Sequence, residues 1–474
     1  MSAKAEGVFG SKQALLIQVF MLLCVLSTFA VFGLRLDSVV QLHGMLPTSG
    51  QEGSGSMGVF QVCTGAPLYD NLKFEPNVYV FNFLFYESYG WLSHLWGPCE
   101  ISVPLVGRLL SCAFSLLIFA LIVTIRDTRT PALESIAIAT AALSPFVGWW
   151  AFSLRPDVGA SVMFLLSILS MLAYIERPRP LSIIFAAVFL CASWGFKQTF
   201  IFAWPIYFIY SFRGSRTHAA VFLGATTACL LLPAALYGIE SYLFHTVEVE
   251  AGHALSFHIA LQNTELFISK AFPSILLFVV VLVSVRRNEL RPGHRFLLTM
   301  ILFSAGVTLI AAGKGGASEN YFFPTFFLLL VFVVKTLPRC SDERRATALL
   351  TYSAASLLLV GFVASGYRGK LALDNDLNEV LSAAEKINSL PGPKLVWDEV
   401  LALPWFTKGV ATRITWSGDA NGKTGAFDPK QKVRAQYYQS IVIPSYYQDQ
   451  FDLRGYSEEG SVDNLFIYRR RPAE

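Results

Sequence analysis

The chain has 474 residues, of which 54% are hydrophobic and 15% are charged, and its mean hydropathy is +0.50. These values exclude an ordinary soluble globular protein and indicate a polytopic membrane protein. The formal net charge of +4 is small and forms no basic patch, so the composition predicts no nucleic-acid partner.

Apolar runs of the length that a helix needs to cross a bilayer, about 20 residues, recur from residue 14 to residue 364. The first run follows Lys4 and Lys12, as in a signal peptide, but it is longer than a signal core and lacks a clean cleavage site. It therefore predicts an uncleaved helix. About eleven spanning helices are predicted, at residues 14–34, 102–124, 131–152, 158–175, 181–196, 199–212, 219–239, 271–285, 296–312, 321–337 and 346–364.

Lys and Arg residues concentrate in alternate connections between these helices. Because positive charge near helix ends is retained in the cytoplasm, these connections are expected inside. The pattern then predicts a cytoplasmic N-terminus, a first outer loop over residues 35–100 and an outer C-terminal region. The basic connections are 126–129, 176–179, 213–216, 286–295 and 335–345.

The predicted membrane domain covers residues 1–367, and residues 368–474 have the hydropathy of a soluble domain. A helical pattern near 375–389 is followed by short apolar runs separated by turn residues, which predicts a small α/β domain outside the membrane. No internal repeat supports the inverted-repeat plan of many transporters. The apolar runs of this domain are 394–397, 439–443 and 464–468.

The first outer loop carries ionisable residues among aromatic ones, which is typical of a functional site at the membrane boundary. Glu52 precedes a short helical pattern at 58–62. A partly desolvated carboxylate at this place is able to act as general base toward an acceptor hydroxyl. A helix-capping or solvated carboxylate is the alternative for the same residue.

Further along this loop, Asp70, Lys73 and Glu75 form a mixed cluster that is able to place a cation beside an anionic leaving group. Exposed loops often have the same composition, so an exposed loop without a functional role stays open as the alternative. The aromatic run at 81–91 predicts an amphipathic helix in the membrane interface, where Tyr and Trp rings prefer to lie.

Side chains of the kind that bind metals occur in the outer segments without a zinc spacing. In the segment 240–270 we favour a solvated loop over a metal site. Cys63 and Cys99 share the first outer loop, where a disulfide and two unpaired thiols both fit the sequence. The histidines and acids of the 240–270 segment are His245, Glu248, Glu250, His253 and His258.

Arg155 and Asp157 lie at the beginning of a predicted helix, where the backbone dipole favours a carboxylate. A local ion pair with a capping role is their alternative. Arg108, Lys197 and Lys314 are single cations near the outer boundary, and each is able to extend toward the headgroups. If they converge from different helices, such cations instead form a site for a lipid phosphate.

Several short motifs follow one another along the membrane domain: Glu52-Gly53, Gly65-Ala66-Pro67-Leu68-Tyr69-Asp70, Glu75-Pro76, Arg108-Leu109-Leu110-Ser111, Arg155-Pro156-Asp157, Lys197-Gln198-Thr199 and Glu319-Asn320-Tyr321-Phe322. Their order resembles the GT-C superfamily of integral membrane glycosyltransferases. The similar branch comprises the protein O-mannosyltransferases and the aminoarabinose transferases, with many bacterial relatives. The likeness covers residues 14–337 and includes the many-helix plan with an outer soluble tail.

The resemblance implies inverting transfer of a single sugar from a polyprenyl-phosphate donor, on the outer face of the bacterial inner (plasma) membrane. The acceptor would be a glycan, a lipid or a protein. No cofactor follows from the resemblance, and a divalent metal ion stays an open alternative.

The resemblance also assigns roles to residues. Glu52 would be the general base, although Gln51 replaces the first member of the acidic pair found in many relatives. Glu75 and Asp157 stay open as the base, or would hold the acceptor or a metal. The donor phosphate would be bound by Lys73, Arg155, Lys197 and Lys314, and the substrates by Tyr69, Asp70, Glu319, Asn320 and Tyr321.

A transporter or flippase of lipid-linked or small polar substrates is the main alternative function. Such proteins place ionisable residues near mid-helix and usually show repeats, whereas here the charges gather at the outer helix ends. A polymerase or ligase usually has its large outer loop late in the chain, and a membrane-anchored scaffold needs far fewer helices. A contact between residues 51–90 and the turn 153–157 is expected only for the enzyme.

Overall fold

The structure is a computed structural model, and it describes residues 11–45, 48, 52–69, 81–248, 254–286, 289–365, 377–397, 411–414, 429–462 and 465–472. The helices in chain order are α1 (Ser11–Gln41), α2 (Glu52–Cys63), α3 (Phe83–Trp96), α4 (Cys99–Thr124), α5 (Ala132–Ala139), α6 (Asp157–Glu176), α7 (Pro180–Phe196), α8 (Trp204–Gly214), α9 (Arg216–Tyr237), α10 (Ile239–Leu243), α11 (Phe257–Ser284), α12 (Pro292–Ala311), α13 (Phe323–Thr336), α14 (Asp342–Ala364), α15 (Leu377–Ser389) and α16 (Pro429–Arg434).

The chain is an integral membrane protein. Among the described residues, 8 helical segments are long and apolar enough to cross a membrane: α1, α4, α6, α9, α11, α12, α13 with its flanking turns, and α14. Shorter apolar helices occupy the remaining predicted positions, namely α5, α7, and α8 with the 3-10 turn Gln198–Ala203 before it. The predicted polytopic helical fold is therefore confirmed.

The third predicted helix, 131–152, is interrupted. α5 and a short 3-10 turn end at Ala142, and a second 3-10 turn, Gly148–Phe152, follows. Pro145 has no backbone N–H to donate and Gly148 has φ of 52°, so the chain cannot continue as one α-helix. The break places the 153–157 turn beside the first loop, where the Leu154 N–H donates a hydrogen bond to Glu52.

The segment 240–270 is not the solvated loop that we expected. It contains α10, a π-helical turn (Phe244–Glu248) and the first half of α11. The N-terminal half of α11 carries polar residues, so its hydropathy falls although the helix is continuous. Ser256 caps it, because its hydroxyl accepts a hydrogen bond from the Ile259 N–H at 3.4 Å.

α13 is the central helix of the bundle. In the segment Glu319–Arg339, which contains α13, 83% of the most apolar 18-residue stretch is buried. α13 packs against α6, α11 and α12. The 3-10 turn Glu319–Phe322 leads directly into it. Polar residues in that turn are therefore attached to the most buried of the candidate membrane-spanning segments.

The first outer loop contains two helices, α2 and α3, that pack on each other and on α4. A Cβ at Gly90 would lie 2.6 Å from the Val62 side chain, so only glycine permits this close approach. α3 buries Phe85 and Tyr86 and exposes Trp96 to 72%. It is the amphipathic helix that the aromatic run predicts.

The C-terminal region contains α15, α16 and a 5-stranded sheet of order β2-β1-β3-β5-β4. β1 pairs in parallel with β2 and β3, whereas β5 pairs antiparallel with β3 and β4. The predicted small α/β domain is confirmed, and the predicted boundary at 367/368 lies outside the described residues. The strands are β1 (Lys394–Trp397), β2 (Ala411–Ile414), β3 (Ser440–Pro444), β4 (Tyr456–Val462) and β5 (Leu465–Arg470).

Cys63 and Cys99 form a disulfide that joins the end of α2 to the beginning of α4. Disulfides persist in oxidising compartments, which agrees with an outer location of this loop. Of the two alternatives that the sequence allowed, the structure therefore has the bonded one.

We predict that Cys63→Ser and Cys99→Ser each lower the free energy of unfolding by about 3–4 kcal/mol, because the closed loop no longer restricts the unfolded chain. The double variant should cost no more than either single one, since all three lose the same bond. Thermal unfolding of the purified chain, with and without a reductant, measures this. Single variants as stable as the unchanged chain would contradict the prediction.

Candidate active site

Glu52, the first residue of α2, is only 4% exposed and connects three parts of the chain. Its Oε1 accepts hydrogen bonds from Arg108 Nη1 and from the Leu154 backbone N–H, both at 2.6 Å. Thr48 donates to it from the backbone N–H at 2.7 Å and from the hydroxyl at 3.2 Å. The carboxylate therefore ties the first loop to α4 and to the 153–157 turn, which is the contact expected for the enzyme.

Arg108 points into the protein rather than toward the headgroups. Its Nε donates to the Gly44 carbonyl at 2.7 Å, and its Nη1 also donates to the Phe152 carbonyl at 3.2 Å. A buried guanidinium needs a counter-ion, and Glu52 supplies it. Arg108 is thus a partner of Glu52 and fixes where the first loop meets the bundle.

Asp157, the first residue of α6, is the centre of a second buried cluster and is 1% exposed. Its Oδ1 accepts hydrogen bonds from Lys197 Nζ and, at 2.8 Å, from Asn320 Nδ2. Its Oδ2 accepts from Arg155 Nε at 3.3 Å. Three residues from separate parts of the sequence therefore meet on one carboxylate.

Aromatic rings hold the cations of this cluster. The Arg155 guanidinium lies 4.8 Å from the centre of the Trp150 ring and 5.3 Å from that of Phe81. Lys197 Nζ lies 4.3 Å from the centre of the Tyr321 ring. Such cation–π contacts favour the charged form and limit the orientations of the side chain.

Glu319, which is buried, pairs with the half-buried Lys270. Its Oε1 accepts from Lys270 Nζ at 2.5 Å, and its other oxygen accepts from the Ser318 hydroxyl. Asn320, the next residue, reaches in the other direction to Asp157. The turn Glu319–Phe322 therefore connects the Asp157 cluster to α11.

A cavity of about 580 Å³ lies beside Lys197. Its polar lining includes Lys197, Gln198, Thr199, Lys314 and Tyr321. Its apolar wall comes from the end of α9 and from α10, where Leu231 is 60% exposed. The cavity thus combines two cations with a wall that continues onto the lipid-facing side of α9. The apolar residues of this wall are Leu230, Leu231, Ala234, Ile239 and Leu243.

Tyr69 packs behind the cavity rather than in it. Its hydroxyl donates to the Phe81 carbonyl at 2.9 Å, and its carbonyl accepts from the Ser241 hydroxyl at 2.5 Å. Burial raises the pKa of the Tyr69 hydroxyl well above its ordinary value, so it remains a donor. Tyr69 supports Phe81, which lines the cavity, and its own substrate contact stays a prediction.

Three of the predicted site residues, Asp70, Lys73 and Glu75, lie outside the described residues. Within the described ranges, the one group of side chains with metal-binding geometry is Cys63, His94 and Cys99, and its two cysteines form the disulfide. His245 is buried beside the Tyr69 ring. A divalent metal ion therefore stays a prediction.

Sequence reasoning missed Lys270 and Asn263, both on α11. Both lie in the segment that we expected to be a loop, although Lys270 directly precedes the apolar run that was recognised as a helix. A polar residue every seven positions on one helix face, here 263 and 270, was the available signal. We also missed Asn82, which caps α3 and accepts a hydrogen bond from the Tyr242 hydroxyl at 2.7 Å.

No protein-family model matches the sequence, and no curated protein matches it. Two solved structures of ArnT from Cupriavidus metallidurans are similar to the chain at 10% sequence identity. The structure bound to undecaprenyl phosphate has a TM-score of 0.58 and is covered over 97% of its length by 94% of this chain. The apo structure has a TM-score of 0.60, with 98% of it and 97% of this chain covered. ArnT is a GT-C aminoarabinose transferase, so the fold implied by the sequence resemblance is confirmed.

We predict that Glu52 and Arg108 stabilise the protein as a pair, so that the losses from removing each of them do not add. Glu52→Ala or Arg108→Ala leaves one buried charge unpaired, which costs about 3–5 kcal/mol. The double variant Glu52→Ala/Arg108→Ala should cost less than the sum of the two, because no charge is left alone. A double-mutant cycle of thermal unfolding measures this, and additive losses would show that the pair does not act as a unit.

Proposed function

We propose that the protein is a GT-C glycosyltransferase that transfers a single sugar, with inversion, from a polyprenyl-phosphate donor to an acceptor on the outer face of the membrane. The acceptor is a glycan, a lipid or a protein. We further propose that the membrane is the bacterial inner membrane. The N-terminus is then cytoplasmic, and the first loop and C-terminal domain are outside.

The observation that carries this proposal is the composition of the cavity. Lys197 and Lys314 supply positive charge for a phosphate, and the wall from α9 and α10 supplies apolar surface for a prenyl chain. A lipid-linked sugar has both parts. The fold adds support, because one of the similar ArnT structures is bound to undecaprenyl phosphate.

The donor phosphate is the leaving group in this reaction. Negative charge develops on its oxygen as the bond to the sugar breaks, and fixed cations stabilise that charge without a proton transfer. Lys197 and Lys314 take this role in the proposal, and Arg155 shares the Asp157 carboxylate with Lys197. Lys73 is a further predicted phosphate ligand and lies outside the described residues.

Asp157 positions Lys197 in this mechanism. It holds the ammonium group by a direct hydrogen bond, and Asn320 and Arg155 fix the carboxylate in turn. The cost of burying the lysine charge is offset by these contacts. Loss of the Asp157 charge should therefore disturb donor binding.

Glu52 is the proposed general base. Inversion requires the acceptor hydroxyl to attack the sugar carbon from the side opposite the phosphate, and the base takes the hydroxyl proton. Thr48 donates a hydroxyl hydrogen bond to Glu52 at 3.2 Å, the longest of its contacts. In the proposed complex the acceptor hydroxyl replaces that of Thr48, while Arg108 and the Leu154 N–H keep the carboxylate in place.

We predict that Asp157→Asn and Glu52→Gln have different effects. Asp157→Asn should weaken binding of undecaprenyl phosphate about tenfold, since Lys197 loses a charged hydrogen bond. Glu52→Gln should abolish sugar transfer and leave this binding almost unchanged. The measurements are lipid binding to the chain in nanodiscs and sugar transfer in membranes.

The matched control is Gln262→Leu, an exposed position on α11. If undecaprenyl phosphate does not bind the unchanged chain, the proposed donor class is wrong. Full transfer activity in Glu52→Gln would remove Glu52 from the mechanism. Equal loss of lipid binding in both variants would contradict the separate roles.

The proposed orientation predicts the behaviour of reporter fusions. Alkaline phosphatase fused after Pro472 should be active, because this enzyme folds only in an oxidising compartment. Green fluorescent protein fused to the N-terminus should fluoresce, as expected for a cytoplasmic location. An inactive phosphatase together with a fluorescent N-terminal fusion would place both ends of the chain on the cytoplasmic side and contradict an odd number of crossings.

A further inference from the structure

Lys314 lies in a short connection between α12 and the turn Glu319–Phe322, and it lines the cavity. This connection, residues 312–318, contains three glycines and offers little side-chain packing of its own. A glycine-rich connection has high conformational freedom unless other elements restrict it. The structure shows which elements do so.

A strand-like segment, residues 254–256, pairs with the connection. The Ser256 N–H donates to the Gly313 carbonyl at 2.7 Å, and the Gly315 N–H donates to the Ala254 carbonyl at 3.0 Å. Leu255 and Lys314 face each other in an antiparallel bridge. The backbone of Lys314 is thus fixed on both sides.

Asn263 on α11 holds the two ends of the same connection. Its Nδ2 donates to the Ala312 carbonyl at 2.8 Å and to the Ala317 carbonyl at 3.1 Å. The side chain is 5% exposed, so both hydrogen bonds are largely shielded from water. An amide with two N–H groups is able to join two carbonyls, and a hydroxyl is not.

The same face of α11 also contacts the turn Glu319–Phe322, which follows the connection. Phe267 stacks on Phe322 with ring centres 4.5 Å apart, and Lys270 pairs with Glu319. Positions 263, 267 and 270 share one side of a helix. This face therefore holds the chain from Ala312 to Phe322 through hydrogen bonds, ring stacking and an ion pair.

Gly313 is packed closely against the 254–256 segment. A Cβ at this position would lie 2.9 Å from the Ser256 carbonyl oxygen and 3.3 Å from the Ala260 Cβ. A larger residue would have to push the connection away from α11. By contrast, a Cβ at Gly306 in α12 meets no atom within 4 Å.

We infer that Asn263 and the 254–256 segment position Lys314: they hold its backbone so that its side chain lines the cavity and binds the donor phosphate. This inference rests on the proposed function. Lysine loses much side-chain entropy when it binds, so a fixed backbone lowers the remaining cost of placing its ammonium group. Asn263 contacts neither substrate in this account and acts through Lys314.

The test is binding of undecaprenyl phosphate to the full chain in nanodiscs. Asn263→Leu should weaken binding about fivefold to tenfold, because two carbonyls lose their donor and the connection moves. Gln262→Leu, the exposed neighbour on the same helix, is its control. Gly313→Ala should weaken binding in the same direction, and Gly306→Ala should not.

The decisive readout is a double-mutant cycle with Lys314→Ala. If Asn263 acts through Lys314, Asn263→Leu should change binding less than twofold once Lys314 is alanine. A merely structural role would instead reduce binding by the same factor in both backgrounds. The Gly313→Ala variant repeats the cycle through a different residue, in case Asn263→Leu does not fold.

The outcomes separate failure of the proposed function from failure of the positioning role. If the unchanged chain does not bind the lipid, the proposed function fails and the positioning role fails with it. If the chain binds the lipid and Lys314→Ala weakens binding, but Asn263→Leu and Gly313→Ala do not, only the positioning role is overturned. Equal effects of the variants and their controls would also overturn it.

Discussion

Buried charge that must be paired is the constraint that organises this protein. Glu52 and Asp157 are almost fully buried, and an unpaired carboxylate in that setting would be very costly. Each finds its cations on other elements: Arg108 on α4 for Glu52, Lys197 after α7 for Asp157. Because the 153–157 turn contacts both carboxylates, the two clusters cannot separate without breaking hydrogen bonds. The first loop, two later connections and the bundle are thereby joined to one another.

This arrangement holds the residues of the site in place. Asn320 bonds to Asp157 and stands directly before α13, the most enclosed helix. The N-terminal half of α11 fixes the connection 312–318 through Asn263, and the turn Glu319–Phe322 through Phe267 and Lys270. Cations are therefore prearranged around a cavity whose other wall is apolar. Prearranged charge stabilises a developing anion at little reorganisation cost, which is what release of a lipid phosphate requires.

The sequence was sufficient for the helical plan and for the C-terminal strands, because both depend on local hydrophobic pattern. It also indicated that Asp157, Lys197 and Asn320 belong to one site. It could not indicate that Glu52 pairs with Arg108, since partner choice depends on how α2 lies against α4 and no spacing encodes it. The N-terminal half of α11 was missed for a related reason. Its polar residues contact other protein segments, whereas a hydropathy scale treats every polar residue as exposed to water.

The most direct test is an experimental structure of the chain with undecaprenyl phosphate. We expect the phosphate to lie within hydrogen-bond distance of Lys197 and Lys314, with the prenyl chain along α9 and α10. A phosphate bound elsewhere, with Lys197 still bound to Asp157 and its neighbours, would contradict the proposed donor site.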